Sequence, residues 1–162
     1  MDSFQKFYDR VLRFLSFRPR SEKEIRDYLK RPRKRRSRSK QEPIDEATIE
    51  KIVSKLKDQG FINDGEFAKW WVEQRQGSKP RGARVIRMEL KQKGIPDDLI
   101  TNNQLLITNQ SELAKKALEK KIKLYRHFPR ERIYQKLSQF LLRRGFEWET
   151  VKEAIDEALK KE

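Results

Sequence analysis

The chain repeats one arrangement of basic and apolar residues three times, and this repetition constrains its fold more strongly than any other feature. Each copy begins with two basic residues that are two positions apart. An apolar residue follows seven positions after the first of them, and another comes four positions later. The copies are Arg18, Arg20, Ile25 and Leu29; Lys79, Arg81, Ile86 and Leu90; and Arg130, Arg132, Leu137 and Leu141. This register predicts a structural unit that recurs along the chain.

A second pair of apolar residues, five positions apart, follows in every copy: Ile44 with Ile49, Ile95 with Ile100, and Phe146 with Val151. In the second and third copies this pair starts five positions after the first pattern ends, whereas in the first copy it starts fifteen positions after Leu29. The first copy therefore carries a ten-residue insertion. We divide the chain into repeat one (4–62, with a basic insertion at 30–43), repeat two (63–108) and repeat three (109–162).

Within the repeats, apolar residues recur every three or four positions, which is the spacing of an amphipathic helix. The first such series is Phe4, Phe7, Tyr8, Val11, Leu12 and Leu15. Ser21 and Glu24 have the spacing of a capping box at a helix start, and Gly94 stands where a helix would end. No segment alternates in the manner of a strand. We predict an all-α fold of three tandem three-helix repeats, with nine helices that include a weaker one from Leu99 to Ile107.

Composition favours an extended arrangement of these helices and a polyanionic partner. Hydrophobic residues make up 35% of the chain and charged residues 40%. Helices that each bury one stripe suit this ratio better than one large spherical core, so we expect an elongated array. Lys and Arg number 40 against 25 acidic residues, which gives a net charge of +15. Such an excess drives association with DNA, RNA or an anionic membrane surface.

Patterns typical of enzymes and metal sites are missing from the sequence. The chain has no cysteine and therefore no disulfide, thiolate zinc site or cysteine nucleophile. His127 is the only histidine, and we interpret it as a residue at a helix end. Capping explains the acidic residues at predicted helix starts, which are Asp45, Asp64, Asp97 and Asp98. We expect a protein that is not an enzyme and that uses no metal and no cofactor.

The sequence also lacks membrane-directed segments. The residues from Met1 to Phe4 do not begin the apolar core of a signal peptide. No stretch approaches the roughly 20 apolar residues that span a bilayer. We expect a soluble, cytoplasmic monomer without a membrane partner.

Basic residues share a helix face in two of the repeats. The first stripe comprises Lys23, Arg26 and Lys30, and the second stripe comprises Arg84, Arg87 and Lys91. The spacing i, i+3, i+7 places the three residues of a stripe within about 60° of one another on a helix. Repeat three has Gln135, Ser138 and Leu142 at these positions. Solvated faces that pair with acidic neighbours are the simpler interpretation, but repetition in register favours a binding surface.

Two further basic features extend this surface. The basic pair that begins each copy stands at a predicted helix start, where free backbone N–H groups would help to bind a phosphate or a carboxylate. The segment from Lys30 to Lys40, which includes Arg33, Lys34, Arg35 and Arg36, has eight basic residues in eleven and no acidic residue. It is either a solvated, self-repelling loop or an arm that contacts DNA or an acidic partner. We favour an arm with sequence-independent backbone contacts.

Trp70 and Trp71 are adjacent and lie about 100° apart on one helix, so a single apolar stripe cannot easily bury both. We expect one of them to belong to the core together with Phe67. The other either packs on a neighbouring repeat, which is the simpler alternative, or forms a docking surface for a protein.

These motifs resemble the bacterial RecX family. The resemblance is tightest over residues 56–95, in the run from Gly60 to Ala68 (GFINDGEFA) and in the run from Glu89 to Ile95 (ELKQKGI). The chain departs from the family pattern at Asn63, where an acidic residue is commoner, in the proline that precedes Gly82, and in the basic insertion. The second departure falls at the start of the helix that carries Ile86 and Leu90.

The resemblance implies a negative regulator of the RecA recombinase that acts in DNA recombination, repair and the SOS response. It implies a curved array of three-helix repeats that binds the RecA filament and DNA, and that lowers ATP hydrolysis and strand exchange. An autonomous, sequence-independent DNA- or RNA-binding module is the alternative, because cations alone suit backbone contact better than base recognition. Since repeat three lacks the stripe, we expect DNA contacts to concentrate in repeats one and two.

Overall fold

The computed structural model describes residues 2–31, 43–106 and 108–161, and these ranges contain nine α-helices and no strand. The helices are α1 (Ser3–Leu15), α2 (Glu22–Lys30), α3 (Glu46–Asp58), α4 (Asp64–Arg75), α5 (Ala83–Gln92), α6 (Asp97–Thr101), α7 (Gln110–Tyr125), α8 (Arg130–Arg143) and α9 (Trp148–Lys160). The all-α repeat fold expected from the apolar spacing is therefore confirmed.

The helix boundaries follow from local chemistry. Ser21 and Glu24 form the expected reciprocal capping box at the start of α2, and Asp45 caps α3 through the Thr48 N–H. The glycines after α3, α5 and α8 have positive φ angles, which only glycine adopts readily, so these helices end there.

The five-residue spacing of the second apolar pair also has a structural explanation. Ile44 and Phe146 each lie one position before the capping residue of a helix, and their partners Ile49 and Val151 lie in its second turn. Both residues of each pair belong to the same apolar core. This arrangement is a hydrophobic staple, which sets the angle at which the chain enters the helix.

One predicted helix was too long, and one helix start differs between the repeats. The helix expected from Leu99 to Ile107 ends at Thr101 and is followed by a short 3₁₀ turn, Gln104–Leu106, because Asn102 and Asn103 favour caps over helix interiors. The second helix of repeat three begins about one turn earlier than its counterparts. Arg130 and Arg132 are therefore the first and third residues of α8, whereas the pairs in the other repeats precede α2 and α5.

The chain divides into two compact bodies, one formed by residues up to 67 with 93–95, and the other by residues 68–92 with those from 96 onward. In the first body, α1, α2 and α3 pack on one another around buried side chains that include Ile25, Ile52 and Leu56. In the second body, α7, α8 and α9 enclose a core that includes Leu137 and Phe146, and α5 packs on α6.

Candidate nucleic-acid interface

The first stripe lies on α2, and all three of its cations contact carboxylates, although both side chains of the Lys23 and Lys30 pairs are exposed. The ion pairs are Lys23 with Asp27 at 2.9 Å, Lys30 with Glu46 at 3.0 Å, and Arg26 with Glu22 at 2.9 Å and Glu50 at 2.6 Å. The hydrogen bond to Glu50 contributes most to a raised pKa of Arg26, and the same bond lowers the pKa of Glu50. The contacts on this face of α2 are therefore those of the simpler interpretation, in which surface charges pair with their neighbours.

The second stripe lies on α5 and keeps most of its charge available. The exposed Arg84 guanidinium donates to the Leu142 carbonyl at 2.7 Å, a contact that leaves its charge uncompensated. Arg87 is half-buried, and within the described ranges it makes no ion pair. Lys91 lies 3.3 Å from Asp97, but these side chains are 63% and 81% exposed, so solvent screens the pair.

The basic pairs that precede α2 and α5 serve largely internal contacts. Arg18 forms an ion pair with Glu24 at 2.6 Å, and the Arg20 guanidinium lies 3.8 Å from the centre of the Phe14 ring. Burial lowers the pKa of Arg20. Arg81 pairs with Glu89. Of these four cations, Lys79 remains exposed.

Glu89 is the centre of a network that the sequence did not reveal. Its side chain is only 14% exposed, and it accepts hydrogen bonds from Trp71 Nε1 at 2.9 Å, from Arg75 Nε at 2.8 Å and from Arg81. Trp71 is 8% exposed and is the buried member of the tryptophan pair. Trp70 is half-buried and meets the Trp71 ring edge-on, so the predicted docking surface can involve Trp70 but not the face of Trp71.

The helix starts of α2 and α5 do not offer the free N–H groups that were expected to bind a phosphate. The Glu22 N–H of α2 donates to the Asp64 carboxylate at 2.9 Å, and Ser21 accepts from the Glu24 N–H. Asp64 therefore caps α2 and not its own helix, and its burial raises its pKa. The expectation of free N–H groups is wrong at α2 because these side chains fill the positions that an anion would occupy.

At α5, the turn between α8 and α9 closes the helix start. The bonds run from Gly82 N to Arg144 O at 2.7 Å, from Arg84 N to Gly145 O at 3.1 Å, and from Ala83 N to Gln110 Oε1 at 3.0 Å. The backbones approach so closely that a Cβ on Gly82 would lie 2.2 Å from the Gly145 carbonyl carbon. Glycine is required at position 82 for this crossing, and the expected free N–H groups are occupied here as well.

The remaining predicted residues lie in repeat three or in the insertion. Arg130 and Arg132 are exposed on the first turn of α8, and that helix has no side-chain cap. The Arg132 guanidinium lies 5.1 Å from the centre of the Phe128 ring. Four predicted residues, Arg33, Lys34, Arg35 and Arg36, lie outside the described ranges.

Sequence reasoning singled out only Arg132 among four cations in the second body that stand over aromatic rings. They are Lys121, Arg132, Lys136 and Arg144, and we call them the ring-held cations. Their signal was present in the sequence, because Phe128, Arg132, Lys136, Phe140 and Arg144 are spaced four positions apart. Repeats one and two do not share this pattern, so it is not part of the threefold repetition.

Two other kinds of site are not found among the described residues. No described helix is long and apolar enough to cross a membrane. No three acidic or histidine side chains in these ranges cluster as metal ligands.

Comparison with known proteins identifies the family. Models of the first, second and third three-helix domains of RecX match residues 8–31, 63–102 and 109–155. The regulatory protein RecX of Bacillus velezensis is 32% identical over 158 residues, which cover 96% of this chain and 56% of that protein. The corresponding protein of Listeria welshimeri is 34% identical over 97% of this chain and 55% of its own length. This chain thus spans a little over half the length of these relatives.

Solved structures agree with this assignment. The crystal structure of RecX from Lactobacillus salivarius has a TM-score of 0.77, with 29% identity and 95% of both chains covered. A crystal structure of a regulatory protein RecX has a TM-score of 0.76 and 31% identity over 96% of this chain and 74% of that one. The chain is therefore a member of the RecX family.

Proposed function

We propose that this chain is a non-enzymatic, negative regulator of the RecA recombinase. It binds the RecA–DNA filament and the DNA backbone, and it lowers ATP hydrolysis and strand exchange. Membership of a family whose members are named regulatory proteins supports this role. We further propose that the protein acts as a monomer in the cytoplasm.

The main support for this proposal is the second stripe, whose arginines do not contact carboxylates among the described residues. A cation that already contacts carboxylates must lose them before it can contact a phosphate or an acidic protein surface, and that exchange yields little net free energy. Arg84 and Arg87 have no such partner among the described residues, and the partner of Lys91 is strongly exposed. We therefore assign the main contact with the filament to α5 and not to α2.

The test is a titration of RecA ATP hydrolysis on single-stranded DNA with the wild type and with the variant Arg84→Ala/Arg87→Ala/Lys91→Ala. The wild type should inhibit at less than one chain per RecA protomer. The variant should require about tenfold more protein, which corresponds to a loss of about 1.4 kcal/mol. A matched control removes the same charge from exposed lysines of repeat three, Lys120→Ala/Lys123→Ala/Lys152→Ala, and should inhibit like the wild type.

Far-UV circular dichroism establishes that both triple variants keep their helices. If the wild type has no effect on ATP hydrolysis across the titration, the regulatory proposal is wrong. The alternative, an autonomous DNA- or RNA-binding module, would then be supported by equal affinity for unrelated sequences and a steep dependence on salt.

A further inference from the structure

The ring-held cations form two groups, each organised by one aromatic ring. Lys121 Nζ and the Arg144 guanidinium both lie 5.2 Å from the centre of the Phe140 ring. Arg132 and Lys136 lie 5.1 and 5.2 Å from the centre of the Phe128 ring. Two rings thus position four positive charges within the second body.

Most of these residues follow one line along α8. Arg132, Lys136, Phe140 and Arg144 are each four positions apart, and Phe128 precedes them at the same interval. A step of four residues advances about 6 Å along a helix and turns by about 40°, so neighbouring members stand beside one another. Lys121 extends the set onto α7. The result is a row in which Arg132 and Lys136 are adjacent and Phe140 stands between Lys136 and Arg144.

Carboxylates do not neutralise this row. Within the described ranges, none of the four cations forms an ion pair. All four are exposed or half-buried, and the rings of Phe128 and Phe140 are half-buried. The row differs in this respect from the first stripe, whose cations all contact acidic side chains.

An aromatic ring under a cation holds the charge in place while leaving it solvated on its outer side. Binding a ligand through such a cation therefore costs less side-chain entropy than binding it through a lysine that is free to move. Several uncompensated charges along one helix match a polymer that carries one negative charge per unit. Each ring already lies beside two cations, so phosphate groups and not stacked bases are the expected ligands.

We propose that the ring-held cations bind the phosphodiester backbone of a nucleic acid. The proposal rests on the nucleic-acid part of the proposed function and does not depend on RecA. It places a DNA contact in repeat three, where the sequence comparison had led us to expect the least. Single and double strands share this backbone chemistry, so both are probed.

The experiment measures fluorescence anisotropy of a labelled single-stranded oligonucleotide and of its duplex, without RecA, over a range of salt concentrations. The variant Arg132→Gln/Lys136→Gln removes one cation from α8's first turn and one from its second. We expect about tenfold weaker binding near 0.1 M salt. The plot of log affinity against log salt should become less steep, by about 1.4 for the single strand or about 1.8 for the duplex, whichever is the ligand.

Two controls separate this site from general charge. Lys120→Gln/Lys123→Gln removes the same charge from exposed positions of α7 and should weaken binding by about threefold or less. Phe128→Leu/Phe140→Leu keeps the apolar packing but removes the rings. It should weaken binding by about threefold with little change in slope, because the cations remain but are no longer held.

Equal losses in the Arg132/Lys136 and Lys120/Lys123 variants would overturn the proposal, since they would indicate bulk charge only. Normal oligonucleotide binding by the Arg132/Lys136 variant, together with lost inhibition of RecA, would also overturn it and would assign the surface to a protein. If the double variant does not fold, Lys136→Gln alone tests the same site with half the change in slope. If the wild type does not inhibit RecA but the Arg132/Lys136 variant binds oligonucleotides more weakly than the wild type, the regulatory proposal fails and this inference is supported.

Discussion

Helices α2 and α5 hold the same place in repeats one and two, and they carry cations at the same three offsets. Every stripe cation on α2 contacts a carboxylate, and two of these carboxylates, Glu46 and Glu50, come from α3. On α5, only Lys91 has an acidic partner among the described residues. Equal spacing therefore does not mean equal availability, because the partners that neutralise a stripe come from other helices.

The arginine that precedes each helix shows the same divergence. In the first body, Arg20 lies over the Phe14 ring, and that ring stacks on Tyr28 with 4.0 Å between the ring centres. The residues sixty-one positions later are Arg81, Arg75 and Glu89, and they form a carboxylate network in the second body. The repeat keeps the position of the arginine but changes how it is held, from ring stacking to ion pairing.

The largest predicted effect concerns the two helix starts. Gly82→Ala should destabilise the protein by about 3 kcal/mol or more, because the new methyl group meets backbone at 2.2 Å and cannot move aside. The equivalent residue in repeat one is Ser21, and Ser21→Ala should cost about 1 kcal/mol through the lost cap. Urea unfolding followed by circular dichroism measures both changes.

Gly77→Ala is the matched control, since its Cβ would meet nothing closer than 3.5 Å. It should change the free energy of unfolding by about 0.5 kcal/mol or less. A Gly82→Ala variant as stable as the Gly77→Ala variant would show that the close crossing of α5 with the α8–α9 turn is not required.

A smaller effect is expected from Glu89→Gln, which tests how Arg81 is held. The amide keeps the shape of the side chain but leaves Arg75 and Arg81 without a negative partner, so we expect a loss of about 2 kcal/mol. The tryptophan emission of the folded protein should change, because the Trp71 indole N–H donates to this carboxylate.

Glu73→Gln makes the same change in charge at an exposed position of α4 and serves as the control. It should leave both the free energy of unfolding and the tryptophan emission unchanged. Similar stability losses in the two variants would show that Glu89 does not hold Arg81 in a special way. The proposed difference between Arg20 and Arg81 would then not be supported.

The smallest predicted effect distinguishes the stripes themselves. Arg26→Ala should cost about 1 kcal/mol at neutral pH, because it leaves Glu22 and Glu50 without their shared cation. Arg87→Ala should cost less than about 0.5 kcal/mol, since Arg87 has no such partner in the described ranges. Urea unfolding at about pH 7 compares the two variants.

The pH dependence of stability provides a check on the difference between the Arg26→Ala and Arg87→Ala variants. The pKa of Glu50 is lowered by its hydrogen bond with Arg26, and the pKa of Glu22 is lowered by Lys57 and Arg26 although burial opposes the shift. A lowered folded-state pKa contributes stability above the unfolded value, about 4.3 for Glu, and this stability is lost as the pH falls through the folded value. The acid-side loss should shrink in Arg26→Ala and persist in Arg87→Ala. Identical acid profiles would contradict the assigned pairing.

Short-range patterns were the reliable part of the sequence analysis. The capping box at Ser21 and the helix ends at glycine are confirmed, because each depends on residues within one or two turns of one another. The family resemblance is confirmed for the same reason, since its motif is a set of such local signals. The early end of α6 was missed where Asn102 and Asn103 have weak helix propensity, and the extra turn of α8 was missed because the other two repeats begin their second helix later.

The amino-acid sequence by itself determined the helices, their threefold repetition and the excess of positive charge. Only the tertiary structure decided which cations are paired with carboxylates and which are available to a ligand. Glu50 neutralises Arg26 from 24 positions away, and Gly145 closes the start of α5 from more than 60 positions away. An ion pair or a backbone crossing depends on distance in space, and no spacing along one helix reports what a different helix brings beside it.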